Sequence, residues 1–130
     1  MTDFILEEEV AALTGSWIGV DLDGTLAVYT EWGSPTDIGE PIWPMVNRVK
    51  DWLAEGKDVR IFTARVANTL NDPFVVAEIV AAISEWCIDY IGHPLPITCV
   101  KDYGMVELWD DRAVQVVTNT GLTLREHEGW

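Results

Sequence analysis

Six polar residues stand at the ends of apolar runs, and their types suggest a shared chemistry. In chain order they are Asp21, Asp23, Thr63, Lys101, Asp110 and Asp111. Several carboxylates in one place repel each other unless a cation joins them, and an all-oxygen set of donors favours Mg²⁺. The sequence therefore predicts a magnesium site, provided that the fold gathers these residues.

Carboxylates, a hydroxyl and an ammonium group around Mg²⁺ suit attack on a phosphate ester. A phosphate dianion repels an anionic nucleophile, and a bound Mg²⁺ neutralises that repulsion. One aspartate could then form an acyl phosphate, while the hydroxyl and ammonium groups hold the non-bridging oxygens. A second carboxyl group could protonate the leaving oxygen and later deprotonate a water molecule.

The apolar runs are short and continuous, as in buried strands. We predict strands over residues 16–22, 58–62, 97–100, 106–109 and 114–117. A first helix should run between Pro44 and Gly56, residues that suit the start of a helix and the position after its end. A second should begin at Pro73, capped by Asp72, and end before Gly92. Because the second helix is apolar almost all round, it should be well buried.

Alternation of strands and helices predicts an α/β fold with a parallel sheet covered on both faces. The carboxyl ends of parallel strands share one edge, where ligands bind, so the six polar residues should converge there. The Gly- and Pro-rich segment Ala27–Ile42 is predicted to be a loop, and Thr2–Leu13 a short amphipathic helix or arm. The length favours a single domain over residues 1–130.

The charge balance restricts the partners. Eight Lys and Arg against 22 Asp and Glu give a net charge of −14, which disfavours nucleic acids and anionic membranes. A small phosphorylated partner is compatible if a cation reverses the local field. The start of the chain does not look like a secretory signal, and no run of about 18 apolar residues predicts a membrane span. We therefore expect a cytoplasmic protein in which Cys87 and Cys99 are buried thiols.

Four segments resemble, in order, the motifs of the haloacid-dehalogenase-like (HAD) hydrolase superfamily. They are DLDGTLA at 21–27, IFTAR at 61–65, Lys101, and LWDDRA at 108–113. The segment IGEPIWPM resembles small bacterial and phage members. The resemblance implies a Rossmann-like three-layer sandwich with a central, mostly parallel sheet. Residues 26–58 and 65–95 leave no room for a cap domain, so it implies a capless member whose open site is shielded only by the loop Ala27–Glu40.

The resemblance also implies a role for each motif residue. Asp21 would be the nucleophile and a metal ligand. Asp23 would be the acid and base, with its carbonyl also reaching Mg²⁺. Thr63 would bind the phosphoryl group, and Lys101 would bridge it to Asp21.

The last motif would complete the metal site, with Asp110 as a ligand of Mg²⁺ and Asp111 as a second or outer ligand. Thr25 would brace the loop after the first strand. Side chains outside the general pattern that could contact substrate are Arg65, Arg112, Trp32 and Trp43. A dimer could cover the open site.

The expected function is a Mg²⁺-dependent phosphatase that hydrolyses a small or peptide-borne phosphate monoester through an aspartyl phosphate. One alternative is a receiver-like domain that accepts a phosphoryl group for signalling, although receivers carry the acidic pair early in the chain and a lone acceptor aspartate in the middle. Another is a catalytically silent binding module, against which the intact pair Asp21 and Asp23 argues. Carbon–halogen cleavage does not need Asp23, and carbon–phosphorus cleavage in the family uses a lysine from a cap that is absent here.

Overall fold

The computed structural model describes residues 15–67 and 72–129. The strands in this part of the chain are β1 Trp17–Val20, β2 Val59–Phe62, β3 Ile97–Thr98 and β4 Met105–Trp109. The helices are α1 Trp43–Ala54, α2 Pro73–Tyr90 and α3 Leu124–His127, and a 3-10 turn, Ala64–Val66, follows β2. The helix predicted over Thr2–Leu13 lies outside the described residues. Among the helices described, none has the length and apolar character needed to cross a membrane.

The four described strands form one parallel sheet in the order β3-β2-β1-β4. This confirms the predicted α/β class with a parallel central sheet. Strand β1 lies inside the sheet, and all four of its residues are buried. The carboxyl ends of β2, β1 and β4 therefore open side by side. Thr63, Asp21 and Asp110 are the residues that directly follow these three ends.

Alternate residues of the sheet pack against α1 and α2 in one core. Ile18 and Val20 of β1 share a buried cluster with Val49 of α1 and Ile83 of α2. The chain moves from β1 to β2 to β3 in one direction across the sheet, and right-handed crossovers then place both helices on the same face. The described residues thus account for one helical layer, and the third layer of the expected sandwich stays a prediction.

The strand predicted over 114–117 is wrong. Val116 forms only an isolated antiparallel bridge with Thr123, and the Val117 amide donates to the Leu122 carbonyl at 2.9 Å. Asn119, with φ at 64°, makes the turn between these segments. Valine favours extended backbone, but a strand also needs a neighbour to pack and pair with. This segment folds back on itself, and Val114 stays mostly exposed.

Helix α2 is buried on one side only, so the prediction that this helix, apolar almost all round, is well buried is wrong for its outer side. Its buried residues recur at helical spacing: Ile79, Ile83, Trp86 and Cys87. Phe74 is 82% exposed and Ile88 is half-exposed, because no described element covers that side. Cys87 is buried as predicted, and burial raises the pKa of its thiol to about 11. Cys99 is exposed, so its prediction as a buried thiol is wrong.

The one-sided burial of α2 predicts unequal effects of the same truncation at two of its isoleucines. Ile83→Ala should lower the free energy of unfolding by about 2–5 kcal/mol, because it leaves a cavity in the core. Ile88→Ala is the matched control and should cost less than about 1 kcal/mol, because Ile88 is half-exposed. Urea unfolding followed by circular dichroism measures both. Equal losses would show that the outer side of α2 is covered.

Candidate active site

A tight turn after β1 sets the position of the first acidic residues. The Leu22 carbonyl accepts from the amides of Leu26 and Ala27 at 3.0 and 2.8 Å, so the chain reverses within a few residues. Gly24 has φ at +87°, and a Cβ there would lie 2.5 Å from a carboxylate oxygen of Asp111. The backbone conformation therefore favours glycine at this position, and any Cβ there would also displace the Asp111 carboxylate. The turn therefore lies in close contact with Asp111, in the loop that follows β4.

Three carboxylates meet at the junction of these two segments. Asp21, Asp110 and Asp111 each offer one oxygen, and these oxygens all lie within 4.8 Å of one another. The hydroxyl of Thr25 donates to Asp21 Oδ2 at 3.3 Å and accepts from the Asp111 amide at 3.0 Å. Thr25 therefore joins the turn after β1 to the loop after β4. The Arg112 amide donates to Asp110 Oδ1 at 2.7 Å and fixes that carboxylate.

The pKa of Asp21 is strongly raised in the carboxylate cluster. Burial, followed by the charge of Asp110 and the nearness of Asp111, raises the pKa of Asp21 to about 7. Near neutral pH, the cluster therefore binds a proton or gains from a cation. Ligand oxygens lie about 2 Å from Mg²⁺ and hence about 4 Å apart across the ion. Small side-chain adjustments would bring all three carboxylates to one divalent cation.

Asp23 does not belong to this cluster, because its carboxylate is bound by Arg65. The guanidinium donates from Nε and Nη2 to the two oxygens of Asp23, each at 2.8 Å. Its Nη1 donates to the carbonyls of Ser34 and Pro35 at 3.2 and 2.8 Å. Trp32 stacks on it, 5.0 Å from the ring centroid. Four of the five N–H donors of Arg65 thus bind protein atoms, and the side chain positions Asp23 and the loop.

Thr63 lies at the cleft, but Lys101 does not. The Thr63 amide donates to the Thr98 carbonyl at 2.9 Å, and its hydroxyl accepts from the Arg65 amide at 3.2 Å. The side chain is buried under the cleft that it lines. Lys101 is exposed beyond the short edge strand β3 and is not part of the cleft wall.

The acidic cluster, Asp23 and Thr63 line one open cleft of about 370 Å³. The rest of its wall consists of Tyr29, Trp32, Phe62, Ala64, Arg65 and Arg112. Trp32 and Arg112, which the sequence suggested as contacts, thus lie at the cleft, whereas Trp43 packs edge-on against Tyr90 elsewhere. Sequence reasoning did not single out Tyr29, whose only signal is an aromatic ring in a Gly- and Pro-rich segment.

Comparison with known proteins gives no further assignment of this site. No protein-family model matches the chain, and no curated protein is significantly similar to it. Functional conclusions therefore depend on the geometry of the cleft and on the motifs that line it.

The raised pKa of Asp21 predicts a pH-dependent stability that a divalent cation abolishes. Folding raises this pKa from 3.8 to about 7, so the folded state binds more protons than the unfolded state over that interval, and stability falls as the pH rises through it. Without divalent cations, the melting temperature of the wild type should fall relative to that of Asp21→Asn between about pH 4 and about pH 7. Mg²⁺ should restore it at the higher pH in the wild type alone. Parallel pH profiles of the two proteins would contradict the carboxylate cluster.

The contacts of Arg65 predict that the same substitution has different effects at two arginines of the cleft. Arg65→Lys should lower the free energy of unfolding by about 1–3 kcal/mol, because an ammonium group cannot reproduce the paired bonds to Asp23. Arg112→Lys is the matched control and should stay within about 0.5 kcal/mol, because Arg112 is exposed. Denaturant unfolding of both variants tests this. A similar cost at the two sites would remove the positioning role of Arg65.

Proposed function

We propose that the protein is a Mg²⁺-dependent phosphatase that hydrolyses a phosphate monoester through an aspartyl phosphate on Asp21. We further propose that it is a capless HAD-type hydrolase with a three-layer Rossmann-like fold. The observation that carries the proposal is the meeting of Asp21 with Asp110 and Asp111 within 4.8 Å, in a cleft that Thr63 also lines. The order of the four motif-like segments supports it independently.

In the first step, a carboxylate oxygen of Asp21 attacks phosphorus, and the bond from phosphorus to the ester oxygen breaks. The leaving oxygen takes a proton from Asp23 and departs as an alcohol. In the second step, Asp23 accepts a proton from water, which attacks the acyl phosphate and releases inorganic phosphate. Asp21 returns to its starting form, so the cycle consumes one water for each ester.

The metal would be held by carboxylate oxygens of Asp21, Asp110 and Asp111, with the Asp23 carbonyl as the further ligand implied by the motif. When bound, Mg²⁺ supplies positive charge that offsets the repulsion between the carboxylates and the phosphate. That charge also favours the ionised form of Asp21, whose pKa of about 7 otherwise leaves much of it protonated at neutral pH.

The ion pair with Arg65 sets a condition on the acid and base role of Asp23. Both oxygens of Asp23 accept from the guanidinium in this arrangement. Proton donation therefore requires that one Asp23 oxygen release Arg65, carry a proton and turn toward the leaving group; the proton taken from water in the second step restores this protonated form. Arg65 holds the carboxylate at the cleft without contacting the phosphate, which makes it a positioning residue in the proposed reaction.

The phosphate itself needs donors from the cleft wall. The Thr63 hydroxyl hydrogen is free to donate, since the oxygen of that group accepts from the Arg65 amide. Arg112 lines the cleft, and its guanidinium makes no hydrogen bond or ion pair with a described residue. We therefore assign the cationic contact with phosphate to Arg112. The role that the motif implies for Lys101 would require the loop after β3 to approach the cleft.

The nucleophile is tested by Asp21→Asn, with Asp89→Asn as a matched control at an exposed position on α2. The wild type with Mg²⁺ should release phosphate from a panel of phosphate monoesters. Asp21→Asn should abolish release because an amide does not attack phosphorus, and Asp89→Asn should retain it. Chelation of Mg²⁺ should also stop release. Folding of each variant is checked by circular dichroism.

The same assay separates the alternatives. A stable covalent phosphoprotein, formed from acetyl phosphate without turnover, would favour a receiver-like signalling domain over a phosphatase. Neither phosphorylation nor release, in a protein that still binds Mg²⁺, would favour a silent binding module. Activity retained in Asp21→Asn above a few per cent of wild type would remove Asp21 from its proposed role.

A further inference from the structure

We propose that the substrate is a small phosphate monoester whose leaving group carries a planar ring, and that this ring stacks on Trp32 beside Tyr29. We call these two residues the aromatic wall. The inference rests on the proposed phosphatase function and adds to it the chemical class of the leaving group. It follows from how Trp32 is held, how much of it is open, and what lies next to it.

Trp32 is fixed in place although it lies on an irregular loop. Its ring stacks on the Arg65 guanidinium at 5.0 Å. That guanidinium is itself held by Asp23 and by the carbonyls of Ser34 and Pro35, which belong to the same loop as Trp32. A ring fixed before the ligand arrives loses little conformational entropy on binding. The loop therefore presents an aromatic surface that is ready to accept another ring.

The aromatic wall is open to the cleft instead of packing in the core. Trp32 is 55% exposed and Tyr29 is 40% exposed, and both line the cleft that contains the acidic cluster. Trp43 has similar exposure, but it packs edge-on against Tyr90 and lies outside that cleft. Open aromatic surface in a cleft with polar groups is typical of a ligand site.

The contacts of Arg65 with Trp32 and Asp23 indicate which part of a substrate reaches the aromatic wall. Trp32 contacts Arg65, and Arg65 binds Asp23, the residue that the proposed mechanism places beside the leaving oxygen. The leaving group, and not the phosphate, is therefore the part that extends toward Trp32. A ring one or two bonds beyond the ester oxygen matches this order of groups. The net charge of −14 favours a substrate with one phosphate over a polyanion.

Two phosphate esters test the inference because they differ mainly in the flatness of the ring. Benzyl phosphate and cyclohexylmethyl phosphate have similar size and similar leaving oxygens, but only the benzyl ring can stack. The wild type with Mg²⁺ should prefer benzyl phosphate by about three- to tenfold in kcat/KM, which is the usual gain from an aromatic pair. The ratio of the two values removes any effect on the chemical step that both esters share.

Three tryptophan variants test whether Trp32 causes the preference for the planar ring. Trp32→Leu keeps an apolar side chain but removes the plane, so the ratio should fall to about one, and Trp32→Phe should restore part of it. Trp43→Leu is the matched control, since Trp43 is exposed but outside the cleft, and it should keep both the ratio and the activity. If Trp32→Leu slows both esters equally, Trp32 acts only by supporting Arg65, and the inference is overturned.

Binding of non-hydrolysable analogues separates this inference from the proposed function. In calorimetry with Mg²⁺, 2-phenylethylphosphonate, in which CH₂ replaces the ester oxygen, should bind the wild type more tightly than 2-cyclohexylethylphosphonate, and Trp32→Leu should remove the difference. That result in a protein that hydrolyses neither ester would support the ring site while rejecting the phosphatase. Hydrolysis of both esters without preference, together with equal binding of both phosphonates, would reject the ring site while supporting the phosphatase.

Discussion

Mutual repulsion of three carboxylates is the constraint around which this fold is arranged. Asp21, Asp110 and Asp111 stay close because β1 and β4 are adjacent parallel strands, and each acid follows a strand end. Thr25 joins the two segments, and Gly24 permits their close approach. The pKa of Asp21, raised first by burial and then by Asp110 and Asp111, expresses the cost of this arrangement. A divalent cation would turn that cost into binding free energy, because it removes the repulsion and gains three anionic ligands.

The ion pair of Asp23 with Arg65 is separate from the carboxylate cluster. Asp23 lies only two residues from Asp21, yet Arg65 satisfies its carboxylate within the protein. Because the chain reverses in the tight turn that starts at Leu22, Asp21 can join the cluster while Asp23, within the turn, faces the loop. The site therefore combines a cluster of three carboxylates, which would bind a cation in the proposed mechanism, with one carboxylate that pairs with Arg65. Such a division lets two neighbouring aspartates have different chemical roles.

The convergence of strand ends could be predicted from the sequence, because it follows from parallel pairing alone. Contacts that depend on loops could not. The partners of Arg65 include carbonyls some 30 residues earlier, and no pattern in IFTAR indicates them. The exposed side of α2 and the missing strand at 114–117 show a related limit, since apolar residues say what can be buried but not which neighbours are there to bury it. The motif predicts that Lys101 reaches the site. In the structure β3 is only two residues long and Lys101 lies outside the cleft.

Chemistry and selectivity would then arise from different parts of the chain. The sheet edge fixes Asp21 after the buried strand β1, Thr63 after the partly buried β2, and Asp110 with Asp111 after the more exposed β4. The loop from Val28 to Glu40 is anchored at both ends by a bond between these two residues and by the Trp86 indole, which donates to the Gly39 carbonyl at 2.9 Å. Its middle is free to vary without disturbing the core. Arg65 links the two parts, so a change of loop sequence that kept its contacts could alter the leaving group accepted while preserving the reaction.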